Sequence, residues 1–220
     1  MKKDIVLFGA GGFGREVMWL LEEINRNIDI WNIMGFIDDT EALQGKTING
    51  YPVLGNIDWL TNYKKEIHVL CCIGASKPRK MVIDKIFQNP HVVFPTIIAD
   101  NVKRSDTVRF GKGSIICASN VITVNITVGN FVIINLDCTI GHDAVIEDFV
   151  TLYPSVNVSG YVHIGNTTEI GTGANIVGGI QIGERSIVGA GAVVVKDIPS
   201  DCTAVGAPAK PIKFHAKSIE

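Results

Sequence analysis

The second half of the chain carries an apolar residue at every sixth position, from Phe110 to Val194, without a break. The column comprises Phe110, Ile116, Ile122, Val128, Ile134, Ile140, Ile146, Leu152, Val158, Ile164, Ile170, Ile176, Ile182, Val188 and Val194. Because 46% of all residues are hydrophobic, such a run in one of six registers has a chance likelihood on the order of 10⁻⁴. A period of six fits neither a helix nor a flat strand. The pattern therefore predicts short strands separated by turns.

Two other positions of each hexad have a restricted composition. The residue after the apolar column is often glycine, as expected at a corner that needs positive φ or close backbone approach: Gly111, Gly129, Gly141, Gly165, Gly171, Gly183 and Gly189. The fourth residue after the column is mostly small or β-branched: Ser114, Val132, Ala144, Val156, Ala174, Ser186 and Ala192. Two inward columns indicate one strand and one turn per hexad. Three hexads then close a triangular coil of about 18 residues, and about five coils form a parallel β-helix.

The first half of the chain has a different pattern, in which apolar runs alternate with helical segments. The predicted strands are residues 4–10, 33–37 and 69–73, and the predicted helices are residues 14–25 and 79–87. This is the βαβ alternation of a small Rossmann-like parallel α/β sheet. The proline-containing segment 89–96 predicts a linker, so we expect an α/β domain at residues 1–95 and an all-β domain with a C-terminal tail at residues 96–220. Whether the tail from Ala209 covers the last coil or extends toward a neighbour stays open.

A glycine-rich loop follows the first predicted strand. It reads Gly9-Ala-Gly-Gly-Phe-Gly14 and matches G-x-G-x-x-G in a strand-turn-helix context, which presents backbone N–H groups to a phosphate. Asp38 and Asp39 end the second strand, where a carboxylate can accept hydrogen bonds from a ribose or a base. The domain is about half the size of a full dinucleotide-binding domain, which favours a nucleotide-linked sugar over NAD.

Composition excludes several classes of function. The formal net charge is -2 with a pI near 6.2, and no basic stripe is present, which argues against a nucleic-acid partner. The five cysteines are odd in number and lack C-x-x-C spacing, so neither a disulfide framework nor a metal site is predicted. No apolar run approaches the roughly 20 residues of a membrane span, and no signal peptide is recognisable. These features favour a cytoplasmic protein without a membrane partner.

The repeat domain resembles the hexapeptide-repeat acyltransferases, and the segment Val205-Gly-Ala-Pro-Ala-Lys210 resembles their C-terminal signature. This resemblance implies a left-handed parallel β-helix, a homotrimer, and acetyl-CoA as a co-substrate bound between neighbouring subunits. With the glycine loop, the strand ending Phe36-Ile-Asp-Asp39 and the segment Cys72-Ile-Gly-Ala75, the whole chain resembles N-acetyltransferases of nucleotide-linked amino sugars and the related sialic acid O-acetyltransferases.

That resemblance assigns substrate-binding roles in the first domain. They fall to Gly11, Gly12, Phe13, Asp38, Asp39 and Gly74. The family usually has histidine where this chain has Phe13, so a polar contact to the sugar is not expected there. Arg79 and Lys80, at the start of a predicted helix, are interpreted as a solvated face.

Acetyl transfer needs a base for the proton of the nucleophile and donors for the oxyanion. His142 directly follows the corner Gly141, so its ring is expected to project from a turn, and Asp143 follows it. The segment Thr139-Ile-Gly-His-Asp143 resembles the base-bearing hexad of the family, with Asp in place of the common Glu. The resemblance implies that His142 is the general base, assisted by Asp143. It also places the Gly160 N–H at the thioester carbonyl, and Thr151, Thr172 and Ala190 along the coenzyme A channel.

Three functions remain open. The favoured hypothesis is N-acetylation of a UDP- or GDP-linked amino sugar in a surface-polysaccharide or glycan pathway. The second is O-acetylation of a sugar hydroxyl, as in sialic acid O-acetyltransferases, and the third is a non-catalytic trimeric module that binds sugar nucleotides. A metal hydratase ranks low because it needs three converging histidines and the coils hold two, His142 and His163. A nucleotidyltransferase ranks low because it needs a larger N-terminal sheet domain.

Overall fold

The computed structural model describes residues 2–215, and the chain divides into two compact units, of which the first ends at Pro95 and the second begins at Thr96. Residues 216–220, the last part of the predicted tail, lie outside the described residues. The earlier part of the tail forms a strand, Lys210–Phe214, that pairs antiparallel with Cys202–Val205. The tail thus adds a strand to the end of the repeat domain.

The first unit is an α/β sheet with three α-helices. Its strands are β1 (Lys3–Phe8), β2 (Trp31–Ile37), β3 (Thr47–Ile48), β4 (Tyr51–Gly55), β5 (Ile67–Cys71) and β6 (Val92–Val93), and its helices are α1 (Gly12–Asn27), α2 (Ile57–Thr61) and α3 (Ser76–Ile86), with a short 3₁₀ helix at Glu41–Leu43. The sheet order is β3-β4-β2-β1-β5-β6, and all neighbours are parallel except the β3-β4 hairpin. The predicted Rossmann-like parallel sheet is confirmed.

The buried strand β1 organises this unit. Residues 5–8 are buried because β1 lies in the middle of the sheet. Helix α1 buries Gly14, Val17, Met18 and Leu21, which recur at helical spacing and form one apolar face. β1 ends and α1 begins at the glycine loop, so the packing of these two elements determines the shape of the loop.

The second unit is a β-helix of two-residue strands that ends in two longer strands. They are β7 (Ile97–Ile98), β8 (Lys103–Arg104), β9 (Arg109–Phe110), β10 (Ile115–Ile116), β11 (Val121–Ile122), β12 (Thr127–Val128), β13 (Ile133–Ile134), β14 (Thr139–Ile140), β15 (Val145–Ile146), β16 (Thr151–Leu152), β17 (Asn157–Val158), β18 (His163–Ile164), β19 (Glu169–Ile170), β20 (Asn175–Ile176), β21 (Gln181–Ile182), β22 (Ile187–Val188), β23 (Val193–Val194), then β24 (Cys202–Val205) and β25 (Lys210–Phe214). Up to β23, every third strand belongs to the same parallel sheet, and the three sheets start with β7, β8 and β9. The first sheet is extended by β24, which is parallel to β22, and by the antiparallel β25. We call the three sheets faces 1, 2 and 3.

The inward columns form the core of this unit. The apolar column from Ile116 to Val194 is buried, and so are the small residues at the fourth position, for example Ser114 and Ala174. Cys138 occupies the same inward column, and burial raises the pKa of its thiol to about 11. The predicted β-helix is confirmed.

The corner positions require glycine because successive coils stack closely there, and not because the backbone has a positive φ. A Cβ on Gly141 would lie 2.6 Å from the Gly160 nitrogen, and a Cβ on Gly171 would lie 2.5 Å from the Ala190 nitrogen. Positive φ occurs two residues later in each corner, at positions such as Asp143 and Tyr161. Of the two reasons considered for these glycines, close approach is therefore the correct one.

The repeat begins earlier than the unbroken apolar column shows. Faces 1 and 2 begin with β7 and β8, which precede Phe110. The column misses this first coil because Arg104 takes the position of an aliphatic residue. Its guanidinium lies 5.9 Å from the centre of the Phe110 ring, so a cation–π contact covers the exposed end of the column.

Candidate active site

The glycine loop connects β1 to α1 in the first unit. Gly9 has φ +105°, a value that favours glycine. A Cβ on Gly14 would lie 1.9 Å from the Gly9 carbonyl oxygen, so only glycine allows this packing of helix on loop. Gly11 and Gly12 are exposed at the helix N-terminus, and Phe13 is half-buried. The loop has the form expected of a phosphate cradle.

The two aspartates after β2 accept hydrogen bonds from the backbone, Asp38 from the glycine loop and Asp39 from the start of α2. Asp38 accepts hydrogen bonds from the Ala10 N–H at 2.8 Å and the Thr40 N–H at 2.9 Å, and Asp39 accepts one from the Ile57 N–H at 2.8 Å. Burial alone would raise the pKa of Asp38, but the hydrogen bonds from Ala10 and Thr40 outweigh it and lower the pKa. Asp38 therefore shapes the glycine loop as an ionised carboxylate.

We expect Asp38→Asn to destabilise the protein at neutral pH and to have little effect in acid. The folded-state pKa of Asp38 lies below its unfolded value, so its contribution is present above about pH 4 and is lost as the pH falls through the folded-state pKa. Because Asp38 is a partly exposed carboxylate, we expect the substitution to lower the free energy of unfolding by about 1 kcal/mol at pH 7. Urea unfolding between pH 7 and pH 2 measures the difference, with the exposed Asp84→Asn as control. A loss of equal size at all pH values would contradict this assignment.

Gly74 lies beyond the carboxyl end of β5, beside a buried arginine. The Arg79 guanidinium donates through Nη1 to the carbonyl oxygens of Ile73 and Gly74, both at 2.8 Å. Arg79 is only 1% exposed, so the interpretation as a solvated face is wrong for this residue. The arginine fixes the backbone that carries Gly74 and is not displayed to solvent. Lys80 does lie on the surface, where it pairs with Asp84.

In the β-helix, His142 lies at the corner between faces 2 and 3, and its side chain is 54% exposed. Its Nδ1 lies 2.9 Å from Oδ2 of Asp143. The pKa of Asp143 is lowered mainly by the hydrogen bond from His142; desolvation opposes this, and the hydrogen bond from Asn125 adds to it. An ionised Asp143 favours the tautomer with Nδ1 protonated, which leaves the lone pair on Nε2. The pair has the arrangement of an oriented general base.

Gly160 lies one coil after His142, directly against the imidazole. A Cβ on Gly160 would lie 2.6 Å from both Cε1 and Nε2 of His142. No residue among 2–215 accepts a hydrogen bond from the Gly160 N–H. The corner thus brings together an imidazole and an available N–H donor, the two groups that acyl transfer requires.

Two residues that sequence reasoning missed complete this corner. Asn125 lies one coil before Asp143 and donates from Nδ2 to Asp143 Oδ1 at 3.3 Å. Tyr161 lies one coil after Asp143, and its ring centre is 5.1 Å from that of His142 with an interplanar angle of 86°. The coil length of about 18 residues would have aligned both with Asp143, since each is 18 positions away.

A cavity of about 500 Å³ lies beside Asn125 and is lined by Asp106, Thr107, Arg109, Asn125 and Thr127.

The predicted coenzyme A residues occupy other parts of the coil. Thr172 and Ala190 lie in one column at the corner between faces 1 and 2, and both are exposed. Thr151 belongs to β16 on face 1 and is buried. Within one chain, Thr172 and Ala190 are therefore at a different corner from His142 and Gly160.

A second contact between a histidine and a carboxylate lies on another part of the β-helix. His163 on face 3 places Nε2 2.8 Å from Oε1 of Glu147 and is partly exposed. Among residues 2–215 no cluster of His, Cys, Asp and Glu could hold a metal ion. The same residues contain no helix long and apolar enough to cross a membrane.

Comparison with known proteins identifies both units. Residues 4–86 match the family model described as the PglD N-terminal domain. The chain is 34% identical over 170 residues to GDP-perosamine N-acetyltransferase of Escherichia coli O157:H7, covering 76% of this chain and 75% of that protein.

Two solved structures agree over nearly the whole chain. The acetyltransferase domain of PglB from Neisseria gonorrhoeae, in complex with acetyl coenzyme A, is 29% identical with a TM-score of 0.88, covering 96% of this chain and 100% of that one. A histidine-to-asparagine mutant of perosamine N-acetyltransferase from Caulobacter crescentus, in complex with CoA and GDP-perosamine, is 26% identical with a TM-score of 0.86, covering 96% and 97%.

Proposed function

The chain belongs to the family of hexapeptide-repeat sugar acetyltransferases and is an acetyltransferase, and from this premise we propose that it acetylates the amine of a nucleotide-linked amino sugar. The observation that carries the proposal is the 34% identity to GDP-perosamine N-acetyltransferase. Among UDP- and GDP-linked sugars, this relative favours a GDP-linked 4-amino sugar as the acceptor. Acetyl-CoA is the donor, as the acetyl coenzyme A complex of the PglB domain supports.

In the proposed reaction His142 is the general base. The amine of the sugar attacks the thioester carbonyl, and Nε2 of His142 takes the proton that the nitrogen loses. The Gly160 N–H donates to the oxyanion of the tetrahedral intermediate. Collapse of the intermediate breaks the carbon–sulfur bond, and coenzyme A leaves as the thiol once it has received a proton, for which protonated His142 is the donor. Asp143 stabilises the imidazolium while it exists.

The first unit is assigned to the nucleotide. The exposed N–H groups of Gly11 and Gly12 at the start of α1 would bind phosphate oxygens, next to Phe13. Asp38 and Asp39 each already accept a hydrogen bond from a backbone N–H group. We assign them two roles: they fix the backbone, and their remaining lone pairs accept hydrogen bonds from the ribose or the base. Gly74 would border the same ligand.

The homotrimer is part of the same proposal. Within one β-helix, Thr172 and Ala190 lie at the corner between faces 1 and 2, whereas His142 lies between faces 2 and 3. We infer that a coenzyme A molecule that touches both sets lies between two copies of the chain. We place this enzyme in the cytoplasm, in a pathway that makes surface polysaccharide or another glycan.

A thiol-release assay with acetyl-CoA tests the proposal. The acceptors are GDP-perosamine, a UDP-linked 4-amino sugar, free sialic acid and a simple sugar alcohol. We expect release of coenzyme A with GDP-perosamine and an N-acetylated product by mass spectrometry. Release only with hydroxyl acceptors would replace the proposal by O-acetylation, and no release with any acceptor would favour a non-catalytic module.

A further inference from the structure

Asn125 and Asp143 occupy equivalent places in successive coils, at the corner that carries His142. They are 18 positions apart, and their backbones have positive φ values of 57° and 59°. Asparagine and aspartate tolerate this conformation better than most residues, so the backbone favours both side chains here. The two side chains are also joined, because Nδ2 of Asn125 donates to Oδ1 of Asp143 at 3.3 Å. The backbone conformation does not require this contact.

The two oxygen atoms of the Asp143 carboxylate have different partners. Oδ2 lies 2.9 Å from Nδ1 of His142, and Oδ1 accepts the hydrogen bond from Asn125. The torsion that turns an aspartate carboxylate about its Cβ–Cγ bond has broad minima, so one partner does not fix the plane of the group. With a partner on each oxygen, a turn that loosens one contact also loosens the other. The Asn125 amide thereby limits the orientations in which Asp143 meets the imidazole.

Packing in the core does not hold this carboxylate in place. The Asp143 side chain is 34% exposed, and Asn125 is exposed beside the cavity of about 500 Å³ that it lines. Hydrogen bonds must therefore fix the orientation of the carboxylate. A hydrogen bond to an ionised carboxylate is stronger than one between neutral groups, which makes the amide of Asn125 an effective restraint.

Asn125 is itself anchored to the preceding coil. Its N–H donates to Oγ1 of Thr107 at 2.8 Å, and that hydroxyl lies 3.0 Å from Oγ of Ser105. The backbone makes the contact with the following coil, since the Asp143 N–H donates to the Val124 carbonyl oxygen at 3.1 Å. The Asn125 side chain can therefore be removed without breaking the backbone hydrogen bonds that stack the coils at this corner.

We propose that Asn125 is a positioning residue, whose amide holds the Asp143 carboxylate in the plane that meets Nδ1 of His142 and thereby keeps Nε2 directed toward the acceptor amine. This role rests on the proposed function of His142 as the base. Asn125 neither takes a proton nor touches the reacting atoms, and it acts only through Asp143.

Asn125→Gly removes the amide and keeps the backbone conformation, because glycine adopts positive φ without strain. We expect kcat to fall by about tenfold, a part of the roughly 10²–10⁴-fold that a general base contributes, with KM for both substrates unchanged. In an Asp143→Ala background the same change should have no further effect, since the group through which it acts is gone. Urea unfolding should show little change, because the removed side chain is exposed.

Asn125→Asp is a second variant that keeps the shape of the side chain and its tolerance of positive φ. It replaces the amide donor with a carboxylate, which cannot donate to ionised Asp143 and repels it. We therefore expect a loss of kcat at least as large as in Asn125→Gly. A role that depended only on the shape or the backbone conformation of residue 125 would leave this variant fully active.

A spectroscopic measurement does not depend on the acceptor. With ¹⁵N-labelled histidine at about pH 8.5, where an ordinary imidazole is neutral, five imidazoles are observed and the His142→Ala spectrum assigns His142. We expect the fraction of His142 protonated at Nδ1 to fall in Asn125→Gly and in Asp143→Ala.

Ser155→Gly is the matched control for the spectrum. Oγ of Ser155 donates to Oδ2 of Asp137, also at 3.3 Å and also across 18 positions, and both residues have a φ of 59°. This pair lies at the corner between faces 1 and 2, away from His142. We expect the His142 signal to stay unchanged in this variant.

The outcomes separate the two proposals. An active wild type with unchanged kcat and an unchanged His142 spectrum in Asn125→Gly would overturn the role of Asn125 and leave the proposed function intact. Equal losses in the wild-type and Asp143→Ala backgrounds would also overturn it, since Asn125 would then act independently of Asp143. Absence of activity in the wild type would overturn the proposed function alone, and the spectra would still decide whether Asn125 orients the His–Asp pair.

Discussion

Replacing His142 with alanine is expected to lower kcat by about 10²–10⁴-fold, the usual contribution of a general base, while the protein still binds coenzyme A. The expectation follows from the exposed imidazole, its Nδ1 contact with Asp143 and the nearby Gly160 N–H. Because the ring projects from a corner and is not part of the core, its removal should not unfold the β-helix. Steady-state kinetics with GDP-perosamine gives kcat, and calorimetry with coenzyme A gives the dissociation constant.

His163→Ala is the matched control for this experiment. His163 also lies in the β-helix and also contacts a carboxylate, that of Glu147 at 2.8 Å, but it lies on face 3 and has no assigned role in the reaction. We expect its kcat to stay within about twofold of the wild type, since surface substitutions have small effects. Undiminished turnover in His142→Ala, or equal losses in both variants, would remove His142 from the mechanism.

Gly160→Ala is expected to have the second-largest effect, a loss of about 10²-fold in kcat. The added Cβ would lie 2.6 Å from Cε1 and Nε2 of His142, closer than any van der Waals contact allows, so the imidazole must move. A displacement of about 1 Å in a catalytic group can cost on the order of 10²-fold. The His142 ring is exposed and free to yield, so the free energy of unfolding should change little.

Gly178→Ala provides the matched control, because Gly178 occupies the same corner one coil later. Its added Cβ would meet the Gly160 carbonyl oxygen at 3.2 Å and would not approach the imidazole. We expect most of the activity to remain in this variant. Urea unfolding of both variants checks that neither loses the fold, and full activity in Gly160→Ala would show that the His142 position seen here is not the catalytic one.

The β-helix could be predicted from sequence because its contacts are periodic. Each coil buries the same positions as the one before, so the columns through Ile140 and Ala144 record the fold directly. The prediction was incomplete at the first coil, where Arg104 replaces an aliphatic residue and covers Phe110. An end coil has no preceding coil to pack on, so the rule that defines the repeat does not apply there.

The α/β unit was predicted in outline and less well in detail. The central strands and both long helices were found, but the β3-β4 hairpin, α2 and β6 were not, because each is only two to five residues long and too short to show a period. The burial of Arg79 was also missed. Its charge is satisfied by the carbonyl oxygens of Ile73 and Gly74, and such a partnership between backbone and side chain leaves no pattern in sequence.

Local periodicity and adjacent residues were enough to predict the two units, the β-helix and a histidine followed by an aspartate at one corner. The surroundings of that corner depend on the folded chain. Asn125 meets Asp143, and Tyr161 meets His142, through the stacking of coils. Thr172 and Ala190 lie at a different corner from His142. Such relations depend on how the coils stack and turn, which becomes apparent only when the chain is folded.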